Sequence, residues 1–239
     1  MAIEDYHGSE TPAEAFAKLA RDGYCLFPKL FGDAEVNELV IRAMLHRADE
    51  QLRRERQEDG TIVHWSAAID PVLDAVRSTA RLFDIVGRLL GTHDIRQHVQ
   101  QLHYRDQSGA LTTRWRRDEH LLATRIASPR RNAIGTALIL DDVTSIDQGA
   151  ILFVPGSHEW AFDDPAEPAA YQRCEAMLPR RGMLALWNLG AIRGATPNRT
   201  SRDRRSLVQV YARADAGAAG LWTWRDGRAL TYAEGKALG

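Results

Sequence analysis

The chain has 239 residues, a net charge of −1 with histidine counted as neutral, 44% hydrophobic residues and 26% charged residues. This length suits one domain with a sizeable core, and the composition is ordinary for a globular protein. The balanced charge argues against a nucleic-acid partner, and no apolar run reaches the ~18 to 20 residues of a membrane helix, so we predict a cytoplasmic protein without nucleic-acid or membrane contacts.

The first third of the chain is patterned as helices. Thr11 before Pro12 is typical of a helix start, and Gly23 and Gly91 are typical of helix ends. Apolar residues recur at helical spacing between these signals. The predicted elements are a loose lead-in over 1–11, a helix from Pro12 to Asp22, a strand over 24–28, a helix capped by Asp33 with a solvated charged tail over 49–59, and a helix over 70–90.

From Ile95 the period changes to the alternation of β-strands. No linker rich in glycine, serine or proline divides the chain, so we predict one domain with a helical layer over 1–91 and a β core over 92–239. The fold class is mainly β with N-terminal helices, and strands at this spacing can close as a jelly roll. The strand candidates are 95–104, 111–120, 133–141, 150–154, 183–188, 205–213 and 220–224.

Two segments of this β region have an ordered pattern of glycines, acidic residues and prolines. They are 136–144 followed by Gln148-Gly149-Ala150-Ile151-Leu152-Phe153-Val154-Pro155-Gly156-Ser157-His158, and 182–213 with Pro197-Asn198-Arg199-Thr200 and Arg204-Arg205. The pattern resembles the phytanoyl-CoA dioxygenase-like family, a branch of the iron(II) and 2-oxoglutarate oxygenases, and the resemblance extends from Ala15 to Arg213. It implies a cupin-like double-stranded β-helix whose open end holds cofactor and substrate.

The resemblance also implies where iron ligands belong, and two of them are missing. The Trp-His-x-Asp motif of the family corresponds to Trp115-Arg116-Arg117-Asp118, and its distal histidine, ahead of Pro-Asn, corresponds to Arg193. The arginine that pairs with the far carboxylate of 2-oxoglutarate corresponds to Arg204. Guanidinium stays protonated and has no lone pair for a metal. We therefore expect neither a metal site nor a cofactor.

If the implied fold is right, Arg116 and Arg193 lie near Asp118. One interpretation is an ion pair that replaces the metal. The other is a cationic pocket that includes Arg204 and binds a small anion, in which Asp118 or His120 accepts a proton and the arginines stabilise an oxyanion. Arg116, Asp118 and His120 alternate and would share one face of the predicted strand. The residues predicted to line the pocket are Trp187, Trp115, Tyr104 and His103.

The favoured hypothesis is a metal-independent, non-oxidative enzyme of the cyclase, isomerase or lyase type that acts on a small anionic metabolite. The first alternative is a hydroxylase that uses iron(II) and 2-oxoglutarate through a rearranged ligand set of Asp118, His120 and either His98 or His103. The second alternative is a non-catalytic subunit that binds a ligand or a partner. A homo-oligomer or a complex with an active oxygenase relative is compatible with each hypothesis.

Overall fold

Two β-sheets form the centre of the molecule in the computed structural model. The residues it describes are 2–49, 54–57, 60–64, 70–105, 107, 113, 115–122, 126–161, 173–217 and 220–238, with the backbone alone at 120 and 121. No helix within these ranges is long and apolar enough to cross a membrane.

The helices begin and end at sequence signals that can be identified. Thr11 caps the first helix through a capping box with Glu14, and Gly23 ends it at a φ of 85°, a conformation that glycine adopts without strain. The helices are α1 Pro12–Asp22, α2 Asp33–Ala48, α3 Pro71–Arg77, α4 Ala80–Leu90, α5 Glu119–Leu122, α6 Pro129–Asn132 and α7 Tyr232–Ala237.

The strands pair into a large and a small sheet. They are β1 Ala2–Tyr6, β2 Tyr24–Phe27, β3 Arg54–Arg56, β4 Ile62–His64, β5 Ile95–Arg105, β6 Ala133–Ile139, β7 Ile151–Phe153, β8 Arg173–Met177, β9 Leu184–Asn188, β10 Arg193–Ala195, β11 Arg204–Arg213, β12 Leu221–Arg225 and β13 Arg228–Ala229. The large sheet has the order β13-β12-β5-β11-β6-β9-β2, with β4 paired to β5 and to β3, and the small sheet has the order β1-β8-β7-β10. This architecture confirms the predicted class of a mainly β, jelly-roll fold with N-terminal helices.

Alternation along the strands separates two cores. On one face of the large sheet, Leu102, Tyr104 and Leu207 pack with apolar residues of α1 to α4. On the other face, Val208 and Val210 pack in a cluster that includes residues of the small sheet. The space between the sheets is therefore lined by every second residue of β5, β6, β9 and β11.

The N-terminal predictions are wrong in four details. The expected lead-in contains β1, which pairs in parallel with β8, and Gly32 rather than Asp33 is the N-cap of α2. The charged tail is not a helix end, because α2 stops at Ala48 and β3 follows. The helix expected over 70–90 is two helices, because the chain leaves helical geometry at Ser78. Apolar spacing continues across such a short break and does not reveal it.

The strand expected over 111–120 is also wrong. Arg116 makes an isolated β-bridge, but α5 begins at Glu119, so the alternation does not extend to His120. Residues 111, 112 and 114 lie outside the described ranges. The structure confirms strands within or close to the other predicted ranges: 24–28, 95–104, 133–141, 150–154, 183–188, 205–213 and 220–224.

Candidate functional site

The candidate site contains a backbone β-bridge between Arg116 and Arg193. The N–H of Arg116 donates to the carbonyl of Arg193 at 2.9 Å, and the N–H of Arg193 donates to the carbonyl of Arg116 at 3.0 Å. The reciprocal pair places the two residues directly opposite each other. The segment that carries Asp118 is thereby fixed next to the start of β10.

The residues that alternate with Arg116 and Asp118 anchor this segment on its other side. Arg117 is 1% exposed and donates from Nη1 to the carbonyl oxygens of Ser157 and Gly190. Glu119 accepts two hydrogen bonds from Arg130, at 3.0 and 2.6 Å. Because these side chains point away, those of Arg116 and Asp118 are directed together into the space between the sheets.

Asp118 is the centre of a buried hydrogen-bond network. Arg193 donates from Nε to Oδ2 at 2.8 Å and from Nη2 to Oδ1 at 2.9 Å. The indole Nε1 of Trp187 donates to Oδ2 at 2.8 Å, and the Nε of Arg116 lies 3.5 Å from Oδ1. Both carboxylate oxygens are therefore occupied, and Arg193 binds them in a bidentate arrangement.

The charges around Asp118 keep it ionised. Burial alone would raise the pKa of this carboxyl, but the charge of Arg193, then that of Arg116, and the hydrogen bonds from Arg193 and Trp187 outweigh the burial and hold the pKa below its ordinary value. At neutral pH Asp118 is a carboxylate that accepts hydrogen bonds and is a weak proton acceptor.

The position of Trp187 depends on a glycine. Gly135 in β6 lies opposite Trp187 in β9, and a Cβ at Gly135 would overlap the indole ring. The φ of Gly135 is not positive, so the constraint here is space rather than backbone conformation. The absent side chain lets the indole lie over the sheet and reach Asp118.

A cavity of about 320 Å³ opens beside this network. Within the described part of the chain, its walls are Gln57, Val99, Gln101, His103, Arg116, Asp118, Leu122, Trp187, Arg193, Val208 and Val210. A smaller inner pocket of about 30 Å³ shares five of these residues and adds others, among them Arg204. Three guanidinium groups and one carboxylate therefore line two adjoining pockets.

The predicted site residues fall into two groups. Arg116, Asp118, Arg193 and Trp187 meet directly. His103 lines both pockets, and Arg204 lines the smaller one. The remaining predicted residues are Tyr104, Trp115 and His120.

Two of these three do not lie where they were predicted. Tyr104 is on the opposite face of β5 from His103, as strand alternation requires, and donates to the carbonyl of Ala43 in the helical layer. Trp115 packs against the outer cluster of the small sheet. The side chain of His120 lies outside the described residues.

Sequence reasoning missed several wall residues. Gln101 and Val99 alternate with His103 along β5, so the strand assignment already placed them on the same face. Val208 and Val210 follow from Arg204 by the same alternation. Gln57 gave no signal, because it lies between β3 and β4, which were not predicted. Its Oε1 accepts a hydrogen bond from Nη1 of Arg116 at 3.3 Å.

Within the described residues, no group of three or more histidine, cysteine, aspartate or glutamate side chains could hold a metal ion. The two cysteines, Cys25 and Cys174, are both buried. Burial raises the pKa of the Cys25 thiol to about 12 and that of Cys174 to about 11. Neither is a reactive thiolate at neutral pH.

Comparison with known proteins gives one family. The family model described as Phytanoyl-CoA dioxygenase (PhyH) matches residues 19–206. None of the curated proteins searched matches the chain.

Solved structures give the same architecture. The non-heme alpha ketoglutarate dependent epimerase SnoN from nogalamycin biosynthesis is 21% identical, with a TM-score of 0.72 over 95% of this chain and 90% of SnoN. The carbocyclase SnoK from nogalamycin biosynthesis is 20% identical, with a TM-score of 0.71 over 91% and 88% of the two chains. EctD from S. alaskensis is 22% identical, with a TM-score of 0.72 over 89% and 81%. At these identities the likeness shows the fold.

Proposed function

Because this chain belongs to the phytanoyl-CoA dioxygenase family, we propose that it is an enzyme on an oxygenase scaffold that works without iron, on a small anionic metabolite. The reaction class is non-oxidative: an isomerisation, a cyclisation or an elimination. The observation that carries this proposal is the bidentate ion pair between Arg193 and Asp118.

We infer that the residues around Asp118 do not fit the iron ion of the family. Arg116 and Arg193 take the places of the two histidine ligands, and a guanidinium group has no lone pair for a metal. Both oxygens of Asp118 already accept hydrogen bonds from Arg193. A dication next to two guanidinium groups would also be strongly repelled in a buried site.

Asp118 acts in this proposal as a positioning residue. Its oxygens are occupied and its pKa is lowered, so it suits the orientation of Arg193 better than the removal of a proton. This assigns Asp118 a different role from the proton acceptor that the sequence suggested.

His103 is better placed to move a proton. It lies in the cavity wall together with Arg116, and its Nε2 is 2.9 Å from Oε1 of Gln101, which orients the ring. Imidazole is the side-chain group that most often acts as a general base. Removal of a proton beside a carbonyl group sends the electron pair to the carbonyl oxygen, and Arg116 would stabilise the resulting oxyanion. Return of the proton at another atom completes an isomerisation, and loss of a leaving group completes an elimination.

Arg204 is the proposed anchor for the anionic group of the substrate. Its guanidinium lines the inner pocket, where Nη1 donates to the carbonyl of Gly149 at 2.8 Å. The volume of this pocket, about 30 Å³, suits a group of roughly the size of one water molecule or one carboxylate. A carboxylate there would receive charge-assisted hydrogen bonds.

Iron loading tests the proposal. The protein is incubated anaerobically with iron(II), separated from free metal and analysed for iron, and succinate release is then assayed with iron(II) and 2-oxoglutarate. We expect substoichiometric iron and no succinate above the level without protein. One tightly bound iron per chain, or succinate formation coupled to substrate oxidation, would contradict the proposal and favour the hydroxylase that uses Asp118, His120 and either His98 or His103.

One observation favours the alternative of a non-catalytic subunit. Ile41, Met44 and Leu45 form a stripe on α2 with exposed fractions of 58%, 56% and 57%, and such apolar stripes are typical of interaction surfaces. A partner such as an active oxygenase relative could cover it. Turnover of a carboxylate substrate by the isolated chain would contradict this second function.

A further inference from the structure

The wall that β5 and β11 contribute to the cavity changes from charged to apolar along its length. The two strands are antiparallel, and their inward-facing residues meet in successive pairs two residues apart. From the inner to the outer end, the pairs are Arg204 with Arg105, Ser206 with His103, Val208 with Gln101, and Val210 with Val99.

The inner end of the wall is polar. Arg204 lines the inner pocket, and Ser206, the next inward-facing residue of β11, is 0% exposed. Among the described residues the Oγ of Ser206 has no hydrogen-bond partner, and Ser206 itself is not part of the lining of either pocket. Arg204 is therefore the group at this end that can receive the acid of a ligand.

The outer end is apolar on more than one side. Val99 and Val210 face each other across the ladder, and Leu122 of α5 completes the wall of the 320 Å³ cavity. Val210 and Leu122 belong to the apolar cluster between the sheets. An apolar ligand group placed here would replace water contacts with hydrocarbon contacts, which favours binding.

The two ends are joined through a polar middle section. His103, Arg116, Trp187, Arg193 and Val208 line both the inner pocket and the outer cavity. Because the two pockets adjoin at these residues, a ligand with its acid at Arg204 would pass His103 on the way to the valines. The outer volume is close to the lower end of the range of small-molecule sites, roughly 300 to 1,000 Å³, and is much larger than a bare carboxylate needs.

We propose that the substrate is an amphipathic carboxylate, with its acid group toward Arg204 and a hydrophobic ring system or chain between Val99, Val210 and Leu122. A small polar diacid would leave the apolar end filled with water. This inference rests on the proposed function for the anionic group, and it adds the class of the substrate body.

Calorimetric titration of the protein with four probes tests it: naphthalene-2-carboxylate, benzoate, succinate and naphthalene-2-carboxamide. The second ring adds apolar surface only at the outer end, so naphthalene-2-carboxylate should bind roughly tenfold more tightly than benzoate. Succinate should bind more weakly than either aromatic acid, and the carboxamide more weakly than the naphthalene acid.

A variant with threonine in place of Val99 tests whether the outer end of the cavity binds the second ring. Val99→Thr should reduce the affinity for naphthalene-2-carboxylate about threefold or more and leave that for benzoate nearly unchanged. Val72→Thr, a partly buried valine of α3 in the helical layer, is the control and should change neither affinity. Because valine and threonine are nearly isosteric, both variants are expected to fold, and circular dichroism checks this.

The outcomes separate this inference from the function on which it rests. Equal or tighter binding of benzoate or succinate than of the naphthalene acid overturns the amphipathic substrate and leaves anion binding intact. A carboxamide that binds as tightly as the carboxylate overturns the anion requirement and with it the proposed function. Binding of none of the four probes overturns both.

Discussion

Arg193 holds the carboxylate of Asp118 in a fork of two hydrogen bonds, 2.8 and 2.9 Å long, inside the protein. Only 7% of the Asp118 side chain and 14% of the Arg193 side chain are exposed. In such a place the removal of one partner costs more than the pair contributes, because the other charge is left buried. The stability of the site therefore depends on both members together.

The first prediction concerns the charge of Asp118. Asp118→Asn keeps the shape but leaves the Arg193 guanidinium without its carboxylate, so the free energy of unfolding should fall by about 3 kcal/mol. Urea unfolding monitored by circular dichroism measures the change. A matched control is available, because Arg213 binds Asp215 in the same fork geometry with 68% of the Asp215 side chain exposed. Asp215→Asn should change stability little, and an equal loss in both variants would contradict the role of burial.

The second prediction concerns the pH dependence of the stability difference between the wild type and Asp118→Asn. The pKa of Asp118 is lowered in the folded protein, so its contribution is present above the unfolded-state pKa of about 3.9 and is lost as the pH falls through the folded-state value. The stability difference between the wild type and Asp118→Asn should be largest near neutral pH and shrink below about pH 4. A difference that grows as the solution becomes more acidic would rule out this ionisation.

The third prediction concerns the construction of a metal site. In the double variant Arg116→His and Arg193→His, two imidazoles flank Asp118, which is the two-histidine, one-carboxylate set of non-haem iron proteins. The backbone bridge keeps both positions opposite each other, so we expect one iron(II) per chain after anaerobic loading, measured by elemental analysis. The same variant with Asp118→Ala added should bind much less. If wild type and double variant retain the same amount of iron, the arginines do not occupy the ligand positions.

The fourth prediction concerns the space above Gly135. Gly135→Ala places a methyl group into the indole of Trp187, which should displace the ring from Asp118 and lower the free energy of unfolding by about 1–3 kcal/mol. Thermal and urea unfolding measure this loss. In a Trp187→Leu background the same substitution should cost less, because the clashing ring is gone. Equal costs in both backgrounds would show that the strain arises elsewhere.

Much of the fold follows from local signals in the sequence. The cap at Thr11, the stop at Gly91 and the alternation from Ile95 onward each produce the element that the pattern predicts. The helix break at Ser78 and the strand β1 were missed, because the first is hidden within continuous apolar spacing and the second is polar and depends on pairing with β8.

The site follows from the sequence only in part. The residues that resemble family positions, Arg116, Asp118, Arg193 and Arg204, line two adjoining pockets. Tyr104 shows why residue type alone is not sufficient to predict a pocket residue. As an aromatic residue it was expected to line the pocket, but its position in the alternation of β5 places it on the face that packs against the helices. Gln57 comes from a hairpin whose pairing is not encoded by any local pattern.

The reciprocal bridge between Arg116 and Arg193 has one further consequence, because it consists of main-chain atoms alone. Side chains at these two positions can be exchanged without a change in the frame that presents them. A single base substitution interconverts some arginine and histidine codons, so an ancestor with one chemistry and a descendant with another can differ by very few mutational steps. Few substitutions are needed because the backbone of these segments does not have to change.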